Sequence, residues 1–117
     1  MLVTDSRGVD VMIRVAKPRD FKGCQNLLTQ IGGSEKINQD YLYLNDRTNG
    51  FTLVVEKDAK LVALSTFTIR RTYQNNKSHS FIYWENLIVD RFNQDGVAYL
   101  SIIGHIRKLI RSTFLMV

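Results

Sequence analysis

Apolar residues along this chain fall into two rhythms, and their alternation divides it into elements. Val11-Met12-Ile13-Arg14-Val15-Ala16 is short and rich in branched residues, which predicts a strand. From Pro18 to Ile31 the residues Phe21, Cys24, Leu27, Leu28 and Ile31 recur at three- and four-residue steps, one face of a helix that Gly32-Gly33 ends. A second helix is expected from Ser34, with Ile37, Tyr41 and Leu44 one turn apart and Leu42 and Tyr43 beside them. After the turn cluster Asn45 to Gly50 come three strand-like runs: Phe51 to Glu56, Leu61 to Tyr73 and Ser80 to Val89. The polar stretches Lys57 to Lys60 and Gln74 to Ser78 separate them and are short enough to make every pairing antiparallel. Gly96 to Ser112 carries a wide apolar arc, including Leu100, Ile103, Ile106 and Ile110, and predicts a buried helix. Thr113 to Val117 reads as a last apolar strand. The predicted order is β-α-α-β-β-β-α-β, an α+β fold on a mixed sheet, with no internal repeat or low-complexity segment.

With 117 residues the chain is expected to hold one domain, residues 11–117, behind a short N-terminal arm at residues 1–10. That arm has charges and no apolar core, so it does not read as a signal peptide. No apolar run approaches the roughly 20 residues a membrane span needs, so no membrane role is expected. Cys24 is the only cysteine, which rules out an intramolecular disulfide and fits a reducing cytoplasm. His79 and His105 stand at no ligand spacing from each other or from Cys24, so no metal is expected. The formal charge of +5 gathers only at Arg70-Arg71 and Arg107-Lys108-Arg111. A solvated face is the favoured reading of both clusters, ahead of nucleic-acid contact, with an anionic ligand as a third.

The richest stretch runs from Glu85 to Leu100: a strand, a polar turn with one glycine, then a helix. Such a turn leaves backbone N–H groups open at a helix N-terminus, a place for phosphate. In this setting the stretch resembles the acetyl-CoA motif of the GNAT acetyltransferase superfamily. Ile13 to Asp20 resembles that family's opening strand and helix, and Phe51 to Tyr73 its second and third strands. The family's turn reads Arg or Gln, any, any, Gly, any, Gly or Ala. Here Asn93, Gln94, Asp95, Gly96, Val97 and Ala98 stand at those positions. Gly96 and Ala98 match; Asn93 departs from the usual Arg or Gln, and Asp95 sets a carboxylate where it competes for the same N–H groups. The resemblance implies an acyl-CoA N-acyltransferase-like fold, ending before the family's final helix and hairpin.

It also implies transfer of acetyl from acetyl-CoA to a primary amine by direct attack. The amine attacks as the neutral form, which calls for a general base. Glu85 falls where several family members carry that base; its alternative reading is a solvent-facing residue paired with Arg14 or Arg70. Leu87, Ile88 and Val89 would offer backbone to the pantetheine arm, with an N–H near Leu87 polarising the thioester. The turn from Asn93 to Tyr99 would hold the pyrophosphate, and Arg91 would reach the 3′-phosphate or sit in solvent. Strand alternation places Tyr83, Glu85 and Leu87 on one face, making Tyr83 a candidate acid beside water or another chain. Trp84 reads as core packing. The apolar terminal edge Thr113 to Val117 suggests a homodimer. A non-catalytic module on the same fold, binding protein or nucleic acid, is the alternative to the enzyme. The acceptor amine is not legible.

Overall fold

The computed structural model describes residues 2–4, 8, 10–30, 41–90, 103–108 and 111. Their core is a five-stranded antiparallel sheet in the order β1-β2-β3-β4-β5. The strands are β1 (Leu2–Thr4), β2 (Asp10–Val15), β3 (Gly50–Lys57), β4 (Lys60–Gln74) and β5 (Lys77–Val89). A 3-10 turn at Pro18–Asp20 leads into α1 (Phe21–Gln30), and residues 103–108 and 111 are helical (α2). β1 lies inside the stretch expected to be an arm and pairs with β2 from Leu2 opposite Met12 to Thr4 opposite Asp10.

The turns explain the meander. Asp58 and Ala59 have φ of 51° and 61°, and Asn75 and Asn76 have φ of 54° and 62°. Two consecutive left-handed residues give the type I′ geometry that matches the twist of adjoining strands. Asn and Asp adopt it readily through local hydrogen bonds; Ala59 does so against its Cβ.

The sheet buries both faces. One face gathers Val11, Ile13, Phe51, Leu53, Val55, Ala63, Phe67, Ile82 and Val89 against Ile106 of α2, with Phe51 and Phe67 stacked 5.0 Å apart. The other face packs Val54, Leu64 and Ile88 against Cys24, Leu27 and Leu28 of α1. The three-and-four spacing of α1 thus buries the residues the pattern nominated. Each fully buried aliphatic side chain of this kind contributes about 1.5–3 kcal/mol relative to exposure. Leu42 and Leu44 join the α1 face, and the Thr52 hydroxyl donates to the Leu42 carbonyl at 2.7 Å. Residues 41–43 form a turn rather than continuing a helix; the rest of the expected second helix lies outside the described residues. So does the expected strand at 113–117 with its proposed dimer edge.

The entry to α1 is fixed by charge. Arg14 on β2 grips Asp20 with two bonds, Nη1 to Oδ2 at 2.7 Å and Nη2 to Oδ1 at 2.8 Å, and also meets Glu56 at 3.0 Å. Asp20 Oδ2 accepts the Lys17 backbone N–H at 2.7 Å as well. Arg14 is therefore not available to Glu85.

Candidate functional site

The site is built around an irregularity in β5. Its register against β4 runs Ser65 opposite Leu87 and Thr66 opposite Asn86, then slips so that Phe67 faces Trp84. Glu85 is the extra residue of a β-bulge, which bends the strand and re-aims its side chains. Three side-chain bonds fasten the bulge. Thr66 donates its backbone N–H to Asn86 Oδ1 at 3.1 Å. The Trp84 indole N–H donates to the Asn86 carbonyl at 2.8 Å and to Ser65 Oγ at 3.2 Å. Trp84 is thus core packing, as its 5.5 Å contact with the Phe67 ring shows, and also a clamp across the bulge.

The bulge overturns the expected alternation. Leu87 packs toward the α2 face together with Ile82 and Trp84, and Ile88 packs toward α1. Tyr83, between Ile82 and Trp84, stands on the opposite face from Leu87. One inserted residue reverses the phase of everything after it, so the shared face proposed for Tyr83, Glu85 and Leu87 does not exist. The geometric case for Tyr83 as an acid on the Leu87 side falls with it. The slip is not legible in the sequence, because residues 81–84 and 87–89 are apolar or aromatic without a break and show no phase.

Tyr83 and Glu85 do meet through Arg70. Its guanidinium carbon lies 4.6 Å above the Tyr83 ring centre, and its Nη2 is 3.6 Å from Glu85 Oε1. Glu85 is exposed, as is Arg70. The alternative reading of Glu85 as a partner of Arg70 is therefore observed.

Beside the bulge lies a cleft of about 250 Å³ lined by Trp84, Asn86, Leu87, Ile103 and Arg107. Its walls from Trp84, Leu87 and Ile103 are apolar, and Arg107 adds a cation for which no hydrogen bond or ion pair is seen among the described residues. Arg107 also borders a larger depression of about 400 Å³ with Gly104, Lys108 and Arg111. Ile103 and Arg107 had no role in the sequence reading beyond a helix face and a basic cluster. The side chains of Ile88 and Val89 are buried in opposite cores. At the end of β5, Asp90 is 1% exposed, donates its N–H to the Val62 carbonyl at 2.7 Å, and lies 3.7 Å from Lys60 Nζ and 3.5 Å from Gln30 Nε2. These bonds tie the exit of β5 to α1 and to the β3–β4 turn. Asn93, Gln94, Asp95, Gly96, Val97, Ala98 and Tyr99, with Arg91, lie outside the described residues. Among the described residues no group of three His, Cys, Asp or Glu could hold a metal, and no helix is long and apolar enough to cross a membrane.

Comparison with known proteins places this geometry in a class. No family model matches the chain, and no curated protein does. Solved structures do. A possible acetyltransferase from Clostridium difficile 630 superposes with a TM-score of 0.66 at 19% identity, covering 91% of this chain and 76% of that one. A GNAT family acetyltransferase from Staphylococcus aureus gives 0.63 at 14% identity, covering 91% and 84%. An aminoglycoside N-acetyltransferase in complex with CoA gives 0.61 at 19% identity, covering 95% and 76%. The chain has the fold of the GNAT acetyltransferases.

Proposed function

We propose that this protein is an N-acetyltransferase that moves an acetyl group from acetyl-CoA to a primary amine. The observation that carries the reading is the bulge at Glu85, opening beside a cleft on a fold shared with acetyltransferases, one of which was solved with CoA. The described residues fit the acyl end of such a donor. Trp84, Leu87 and Ile103 supply apolar walls to an uncharged arm, and the strand interrupted at Glu85 has backbone groups free of regular ladder pairing. A thioester carbonyl placed against an N–H of this segment would be polarised as charge develops on its oxygen.

Glu85 is the candidate base. It sits on the bulge, exposed, drawn by Arg70 to the Tyr83 side of the strand, and takes the proton of the acceptor ammonium through intervening water before the neutral amine attacks. Water is the candidate proton source for the departing thiolate, because Tyr83 faces away from the cleft side.

Titration calorimetry with acetyl-CoA, followed by thiol release across a panel of amines, tests the reading. Saturable binding with amine-dependent thiol release supports it. No binding at millimolar acetyl-CoA removes it, and binding without release favours a non-catalytic module on this fold.

A further inference from the structure

We propose that the outer half of the β4–β5 hairpin is a binding ribbon for single-stranded nucleic acid. The β3 ladder ends at Thr68, opposite Gly50, and the preceding segment follows β4 a little further, the Ile69 N–H donating to the Asn49 carbonyl at 2.9 Å and Arg71 Nη2 to the Thr48 carbonyl at 3.1 Å. β4 and β5 stay paired out to Gln74 and Lys77, so beyond Arg71 the hairpin is a two-stranded ribbon, and residues 71–80 are all exposed.

Its composition is one-sided. No Asp or Glu lies between Asp58 and Glu85, and Arg70, Arg71 and Lys77 fall on the outer half of the hairpin, while Lys60 sits at its far end, 3.7 Å from Asp90. A surface that serves only solubility mixes both signs. Protection of open strand edges needs charge but no rings. Here the rings are present. Tyr73 is 79% exposed at the tip, and the His79 and Phe81 rings lie 6.4 Å apart, nearly parallel. The register sets Arg70 beside Phe81, Thr72 beside His79 and Gln74 beside Lys77 on one face, which continues to Tyr83 under Arg70. The other face carries Arg71 with Ser80 and Tyr73 with Ser78.

Cations and rings on both faces of an acid-free ribbon, Arg71 with Tyr73 on one and Lys77 with His79 on the other, match a chain of phosphates whose bases have free faces. The cations track the backbone, and the rings take bases by stacking without sequence preference. Duplex bases offer no free face to Tyr73, which selects the single strand. The charge contribution is small and salt-sensitive. With Arg71 and Lys77 on phosphates and Arg70 shared with Glu85, log affinity should fall against log salt with a slope of roughly 1.4 to 2.

Fluorescence anisotropy of a labelled oligothymidylate of about ten nucleotides, at low salt and on the full chain without acetyl-CoA, tests this independently of any enzymatic activity. The expected result is binding that Tyr73→Ala weakens roughly tenfold and Arg71→Ala/Lys77→Ala weakens with a shallower salt slope. Lys108→Ala/Arg111→Ala should leave it unchanged, and unlabelled polyphosphate and duplex should compete poorly. Tyr73→Ala and Lys77→Ala should keep the parent thermal unfolding curve, and Arg71→Ala, which removes the bond to the Thr48 carbonyl, should lower it only slightly. Any of three results overturns the proposal: no binding at low salt, equal competition by polyphosphate or anionic vesicles, or binding lost through Lys108 and Arg111 instead of the ribbon.

Discussion

The Trp84 indole N–H donates to the carbonyl of Asn86, two residues along the same strand, at 2.8 Å. The bond spans the residue that breaks the ladder, Glu85, and holds the bulge in one shape. Trp84→Phe keeps a ring against Phe67 and removes only the donor. The expected loss is about 1 kcal/mol in stability, within the 0.5–1.5 range of a net hydrogen bond. Because the bond fixes the bulge, acetyl-CoA binding should weaken too. Chemical denaturation and calorimetry on the same variant check both.

Arg14 and Asp20 make the strongest charge contact among the described residues, with side chains 19% and 7% exposed. The Arg14 bonds and the Lys17 N–H hold the Asp20 carboxyl below the usual carboxylate range against the opposing effect of burial. Asp20→Asn should destabilise by about 1–3 kcal/mol, since it removes the charged acceptor of Arg14 and of the Lys17 N–H while Arg14 keeps Glu56 at 3.0 Å. The pH dependence has a definite sign. A depressed folded pKa stabilises fully above the unfolded value near ~4, and the stability is lost as pH falls through the folded value. Thermal melts from pH 6 downward should show the parent losing stability below about 4 and Asp20→Asn losing less.

Much of this fold was legible in the sequence. α1 and four strands came within a few residues of their observed bounds, because the apolar spacing is regular and the turns carry Asp-Ala and Asn-Asn at the positions where φ turns positive. β1 was missed, since three residues are too few for a period to show. At the site, regularity itself misled. Strict alternation put Tyr83 with Leu87, and the bulge undid it. Arg107 was seen in a local cluster only, because its place at the Trp84 cleft comes from packing that adjacency in the chain does not encode, whereas Arg70 was one of two partners legible for Glu85.

Gly50 opens β3 where backbones crowd. A Cβ there would stand 2.5 Å from the Phe67 carbonyl oxygen and 2.5 Å from the Tyr43 ring. Tyr43 can rotate; the strand carbonyl cannot yield without disturbing β4. Gly50→Ala is expected to cost about 1–3 kcal/mol, the range for overpacking, measured by denaturant titration. By contrast, Ala59→Gly relieves a left-handed alanine in a type I′ turn and should stabilise by roughly 0.5–1 kcal/mol, read by the same method.

Cys24 is buried against α1's partners, and burial pushes its thiol up to about 12. Alkylation by iodoacetamide at pH 8 should therefore be slow in the native protein and fast once denaturant is added, because the thiolate is the reacting form. The linkage sign follows. A raised folded pKa means that the unfolded state ionises first, so stability should fall as pH rises above about 9. In Cys24→Ala that alkaline decline should be smaller, even though the variant starts from lower stability.

The catalytic reading stands or falls on Glu85. Glu85→Gln keeps shape and removes the proton acceptor, so kcat should drop by roughly 10²–10⁴ while acetyl-CoA affinity stays near parent. Arg70→Met separates the base from its neighbour. The pair spans 3.6 Å and is exposed, so the substitution should change kcat modestly, and the difference should shrink with added salt. A Glu85→Gln enzyme with parent kcat would assign the proton transfer elsewhere and leave Arg70 and Glu85 as a surface pair at the base of the ribbon.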